Sequence, residues 1–85
     1  MARSVFAGHY EVVVTSLVEA RLAAGVTQVE LAARLSKPQS FISKIERRER
    51  RIDVLEFCAV ARALGVRPAA LLDAIDAKLP SQLEI

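Results

Sequence analysis

The sequence predicts an all-α domain of five short helices. Apolar residues recur at helical spacing in one segment after another, and strand-like alternation is absent outside the last five residues. The three glycines and three prolines stand mostly at segment ends. Two segments open with a polar residue and a glutamate three places later, Thr27 with Glu30 and Asp53 with Glu56. In such a capping box, side chain and backbone satisfy each other's orphan donors at a helix start.

The first helix is expected from Val5 or His9 to Ala24. Val13, Leu17, Ala20 and Ala24 form its apolar stripe, and Gly25 ends it in a left-handed turn. The Thr27 box opens a second helix, Gln28 to Leu35, which buries Leu31, Ala32 and Leu35. At about two turns it is too short to stand alone in water and must pack on its neighbours. Pro38 suits the first position of a third helix, Pro38 to Glu46. Phe41, Ile42 and Ile45 are its apolar side, and Gln39, Ser40, Ser43 and Lys44 its outer face. Asp53 caps a fourth helix reaching Leu64, with Leu55, Cys58, Ala59, Ala61 and Leu64 as candidates for its buried side. Pro68 opens a fifth, ending between Asp76 and Leu79, and Pro80 closes it.

At 85 residues the chain is read as one domain, 1–85, with its core over about 9–79 and a tail at 80–85. A single cysteine and a single histidine allow neither an internal disulfide nor a metal cluster. His9 is expected at the surface or a helix start, and Cys58 packed as a small hydrophobe. No nucleophile–base pair and no glycine-rich phosphate loop can be assembled, so an enzyme is not expected, nor is a cofactor or small-molecule ligand. No apolar run approaches the ~20 residues of a membrane span. The N-terminus lacks the long apolar region of a secretion signal, so a soluble, cytoplasmic protein is expected.

Charge is distributed unevenly. Residues 34–51 hold seven basic and two acidic side chains, a net +5, while the remainder holds five and eight, a net −3. Such a block suits a polyanion held on one face; a solvated basic loop has the same composition.

The segment 28–45 reads as helix, tight break, helix, the arrangement in which the second helix enters the DNA major groove. The pieces "AR..AGVTQ.ELA..L", "PQSFISKIE", "ERR.DV.EF" and "ARALGV.PA.LL", between Leu17 and Leu72, resemble the XRE-type family of bacterial and phage repressors. The resemblance implies a five-helix, phage-repressor-like DNA-binding domain whose reading helix is about 38–46. It implies that Gln28 holds a phosphate at a helix N-terminus, where backbone N–H groups point outward. Gln39, Ser40, Ser43 and Lys44 match the positions that face the bases. Gln39 suits adenine, Lys44 suits guanine, and the two serines suit base or phosphate. Phe41 is left with two fates, packing inside or meeting a thymine methyl group. Arg21 and Glu46 match an internal salt bridge between the first and third helices. Among the cations flanking the reading helix (Lys37, Arg47, Arg48, Arg50 and Arg51), Arg50 and Arg51 are the chief candidates for phosphate contacts. The chain departs from the family pattern at Ser36 and Arg48, where many relatives carry glycine. Both follow a helix, where the left-handed backbone costs a non-glycine residue roughly 1–2 kcal/mol.

The expected function is a sequence-specific transcriptional regulator that binds a two-fold symmetric stretch of double-stranded DNA as a homodimer. Val12, Val13 and Val14, with Leu71, Leu72, Ile75 and Leu79, supply an apolar surplus for a subunit interface, unless the first and last helices cover each other. Leu83 and Ile85 could extend it. Two other classes share the pattern: the antitoxin of a toxin–antitoxin pair and a helical protein-interaction module. A toxin gene next door would mark the first, and DNA binding without steep salt dependence the second.

Overall fold

Five helices and no strand make up the computed structural model, which describes residues 8–85. They are α1 (His9–Ala23), α2 (Gln28–Arg34), α3 (Gln39–Glu46), α4 (Val54–Ala63) and α5 (Pro68–Lys78). The alternative start of α1 at Val5 lies outside the described residues. Both capping boxes are formed. Thr27 Oγ1 accepts from Glu30 N–H at 3.0 Å, and the Glu30 carboxylate accepts from Thr27 N–H at 2.8 Å. Asp53 and Glu56 do the same at 2.7 and 3.0 Å. Pro38 is the cap residue of α3 rather than its first helical residue, because its ψ of 156° is extended.

Four helices end in the same way. Behind α1, α2, α3 and α4 the residues Gly25, Ser36, Arg48 and Gly65 take φ of 70°, 56°, 63° and 76°. The next residue donates back five positions in each case. Val26 N–H reaches Arg21 C=O, Lys37 reaches Ala32, Glu49 reaches Lys44, and Val66 reaches Ala61, at 2.8–3.2 Å. This is the Schellman motif, and it turns the chain sharply enough for short helices to fold back on one another. Ser36 and Arg48 do at two sites what glycine does at the other two.

The core is formed by Val14 and Leu17 of α1, Leu31 and Ala32 of α2, Ile42 and Ile45 of α3, Val60 and Ala61 of α4, and Leu71 and Ile75 of α5, with Val26 and Leu64 from the turns. α3 packs on α1 and α2, and α5 closes the other side against α1 and α4. Two sequence expectations are overturned here. Leu55 and Ala59 are exposed; α4 instead turns Phe57, Val60, Ala61 and Leu64 inward, at spacing i, i+3, i+4, i+7. This helix is apolar nearly all round, so periodicity could not choose its face, and packing against α2 and α5 did. Val14 rather than Val13 is the fully buried valine of α1, and Ala24 is an exposed cap residue. The apolar surplus of α1 and α5 is spent mainly within the chain: Leu71 and Ile75 are buried, and Val12, Val13 and Leu79 pack against the core. Only Leu72 of that set is largely exposed.

Long-range polar bonds add to this frame. Arg34 Nη1 donates to Ala63 C=O at 2.8 Å, satisfying a carbonyl at the end of α4. Tyr10 Oη accepts from Ile52 N–H at 3.2 Å, pinning the α3–α4 loop to α1. Lys78 bridges to Glu19 at 3.0 Å, and Glu84 N–H donates to His9 Nδ1 at 3.0 Å, bringing the tail back to the start of α1. No single described helix is long and apolar enough to cross a membrane.

Candidate nucleic-acid interface

α3 divides cleanly into two sides. Ile42 and Ile45 enter the core, while Gln39, Ser40 and Lys44 are exposed. Helical rotation places these three polar residues on one broad face. The Lys44 side chain makes no hydrogen bond or ion pair among the described residues, so its ammonium is available to a ligand. Ser43 lies on the same side but is half-buried, and its Oγ donates to Ser40 C=O at 3.3 Å. Its hydroxyl proton is thus occupied locally, leaving chiefly acceptor capacity.

A polar network supports this face from behind. Arg21 Nε donates to Glu46 Oε2 at 2.7 Å, Arg21 Nη2 to Glu46 Oε1 at 3.0 Å, and Arg21 Nη1 to Val26 C=O at 2.9 Å. Gln28 Nε2 donates to Glu46 Oε1 at 2.8 Å, and Gln39 Nε2 donates to Gln28 Oε1 at 3.2 Å. The order Arg21, Glu46, Gln28, Gln39 therefore leads from a nearly buried ion pair to the first exposed residue of α3. Gln28 was expected at a phosphate; in this structure its side-chain amide joins the ion pair to Gln39.

The basic run separates into distinct local arrangements. Arg47 pairs with Glu49 at 3.0 Å on the exposed surface. Arg48 stands 3.7 Å from Glu11 of α1. The Arg51 guanidinium lies over the Tyr10 ring, 4.4 Å from its centroid. Arg50 is held most firmly, with Nη1 and Nη2 donating to the two oxygens of Glu56 at 2.9 and 2.7 Å. That fork, then the Asp53 N–H, pulls the Glu56 carboxyl down to about 2. Of the two fates left open for Phe41, the structure shows packing against the core. It is half-buried against the core, with the Arg50 guanidinium 4.7 Å and Lys37 Nζ 5.4 Å from its ring centroid.

Three residues of this region were missed by sequence reasoning. Tyr10 anchors the loop and lies under Arg51, Glu56 neutralises Arg50, and Arg34 caps α4. Glu56 carried a signal, since it is the box partner of Asp53, but its second task depends on the loop's path. No three-residue cluster of metal-ligating side chains occurs among the described residues.

The comparisons with known proteins agree with this geometry. The family described as helix-turn-helix matches residues 17–71, from the middle of α1 into α5. A solved XRE-family-like protein from Pseudomonas syringae pv. tomato str. DC3000 is 53% identical, with a TM-score of 0.79 over 85% of this chain and 88% of that one. The chain belongs to the XRE-type helix-turn-helix family. The clp gene regulator ClgR from C. glutamicum is similar to this XRE-family domain at 26% identity. Its TM-score is 0.74 over 87% of this chain and 96% of that one. No curated protein matches the sequence. As an XRE-family domain, the protein is a DNA-binding transcriptional regulator, with α2 and α3 as its helix-turn-helix.

Proposed function

We propose that this domain recognises a specific two-fold symmetric operator as a dimer, with α3 in the major groove. The exposed row Gln39, Ser40 and Lys44 on α3 carries the reading. Gln39 pairs with adenine through its amide, and Lys44 donates to guanine O6 or N7. Ser40 and Ser43 contact base or phosphate beside them. Lys37, Arg47, Arg48 and Arg51 stand around α3 as backbone contacts that add affinity with little sequence preference. Binding needs no cofactor and includes no catalytic step, and its site of action is wherever the cell keeps its DNA.

The dimer contact follows from what the core leaves outside. Val54 and Leu55, side by side in the first turn of α4, are 80% and 79% exposed. Half-sites lie about 34 Å apart, so each reading helix sits ~17 Å from the two-fold axis. The domain measures 40 × 25 × 21 Å, so a contact at that distance must lie close beside α3. Val54 and Leu55 immediately precede Glu56, which reaches Phe41 of α3 through Arg50. Two side chains fall well short of the ~800 Å² per partner of a stable interface, so the pairing forms mainly on DNA.

Selection of bound duplexes from a random pool tests the reading. Enrichment of a symmetric site with half-sites about one helical turn apart supports it. Absence of enrichment at low salt rejects it.

A further inference from the structure

We propose that Arg50 is a positioning residue for the reading helix and not a phosphate ligand. The inference rests on the operator reading above and assigns Arg50 a task that its place in a basic run conceals. Its two terminal nitrogens are committed to both oxygens of Glu56, at 2.9 and 2.7 Å, and Nη1 also donates to Arg51 C=O at 2.9 Å. The terminal edge of the guanidinium is thus matched to a carboxylate, whose charge offsets that of Arg50 toward a phosphate. The partner is itself fixed, because Glu56 Oε1 also accepts the Asp53 N–H at 3.0 Å in the cap of α4. On its other side the guanidinium lies 4.7 Å from the centre of the Phe41 ring. Phe41 belongs to α3, so the first turn of α4 is linked to the reading helix through one arginine.

The placement of Phe41 gives the link its consequence. Lys37 precedes it by four residues, and Lys44 follows it by three. Phe41 and Lys44 both lie on α3, where residues three apart are neighbours, so Phe41 borders the Lys44 side of the reading face. Lys37, at the end of the α2–α3 turn, also lies over the ring, 5.4 Å from its centroid. The turn before α3 and the loop after it therefore converge on one side chain. Base readout requires a constellation held within about 0.5 Å and 10–20°, and a stacked, forked arginine supplies such a constraint on the roll of α3.

Glu56→Gln separates the two roles by sign. Glutamine preserves the capping box, so α4 keeps its start. It removes the charge and the second acceptor of the fork, so Arg50 keeps at most one neutral hydrogen bond to this side chain. If Arg50 were a phosphate ligand, this change would free a cation, delete an acid, and strengthen binding to every duplex. A positioning role predicts the reverse: the ratio of affinity for the selected duplex over a scrambled one falls roughly tenfold, with the salt slope unchanged. Arg50→Lys keeps the charge but loses the planar fork, and is expected to lower the ratio similarly. Arg47→Ala serves as the phosphate reference, lowering the slope by about one with the ratio intact. Tighter binding of Glu56→Gln to both duplexes, or full discrimination by Arg50→Lys, overturns the proposal. An amide spectrum of the DNA-free protein judges the link without DNA. Glu56→Gln is expected to shift the Phe41 and Lys44 resonances, and an unchanged α3 overturns the positioning role. A wild-type protein that shows no discrimination refutes the operator reading, while the spectra still decide on Arg50.

Discussion

Arg21 and Glu46, 25 residues apart in sequence, meet through two parallel hydrogen bonds of 2.7 and 3.0 Å, with 12% and 11% of their side chains exposed. A fork so little exposed is costly to break from one side, because the remaining charge is left without its partner. Arg21→Ala is expected to lower stability by about 3–5 kcal/mol, measured by urea unfolding at neutral pH. A loss under ~1 kcal/mol would place the pair energetically at the surface. Replacing both, as Arg21→Met with Glu46→Leu, should cost less than the sum of the two single changes, since no charge is then stranded.

The left-handed positions give a prediction of opposite sign. Ser36 and Arg48 hold φ of 56° and 63° in Schellman turns whose counterparts are glycine. Relief of the ~1–2 kcal/mol steric cost outweighs the ~0.5–1 kcal/mol of chain entropy that glycine adds to the unfolded state. Ser36→Gly and Arg48→Gly should each stabilise the domain by about 0.5–1 kcal/mol in the same unfolding experiment. Arg48→Gly also removes the 3.7 Å contact with Glu11, but an exposed pair of that length contributes little. Destabilisation by either change would mean that the side chain makes up the strain elsewhere.

These turns also mark how far the sequence could be read. The helix ends were legible because their signals are local: Thr27 with Glu30, Asp53 with Glu56, and Gly25 and Gly65 after the last turns. The left-handed strain at Ser36 and Arg48 was legible only through family resemblance, since neither residue announces it. The face of α4 was not legible. Leu55 and Phe57 are both apolar, and only packing against α2 and α5 decides that Phe57 goes in. In the basic run, charge could be counted but not assigned. Arg47, Arg50 and Arg51 differ through Glu49, Glu56 and Tyr10, and two of those partners come close only after folding.

Gln28 and Lys44 should respond differently when DNA binding is measured. Gln28 Oε1 holds Gln39 Nε2 at 3.2 Å, so Gln28→Ala releases the residue expected to read adenine. Its effect should appear as relaxed preference at the base pair that Gln39 reads. Lys44→Ala should relax a different base pair, at a cost of about 1–3 kcal/mol for the preferred sequence. A uniform loss across sequences in both variants would make them backbone contacts instead.

For the dimer, the exposed pair on α4 is the place to intervene. Leu55 is 79% exposed, so Leu55→Glu should leave the melting temperature within a few degrees of wild type. On DNA carrying both half-sites it should abolish cooperative binding while leaving affinity for one half-site nearly unchanged. Cooperative binding that survives this change would move the interface elsewhere on the domain.

Acid unfolding tests the capping acids. Glu56 is held down to about 2 from an ordinary 4.5, first by the Arg50 fork and then by the Asp53 N–H. Glu30 is also lowered, by the Thr27 backbone and hydroxyl. A carboxyl more acidic in the folded than in the unfolded chain stabilises the fold while both forms are ionised. That contribution is complete above the unfolded value and disappears as pH falls toward the folded one. The stability gap between wild type and Glu56→Gln should therefore stay constant from neutral pH to about 5 and close between 4.5 and about 2. Urea midpoints taken through this range measure it, with Arg50→Lys expected to narrow the window because the fork is the larger cause. Parallel curves for wild type and Glu56→Gln down to pH 2 would show that the Arg50–Glu56 fork has no net effect on folding.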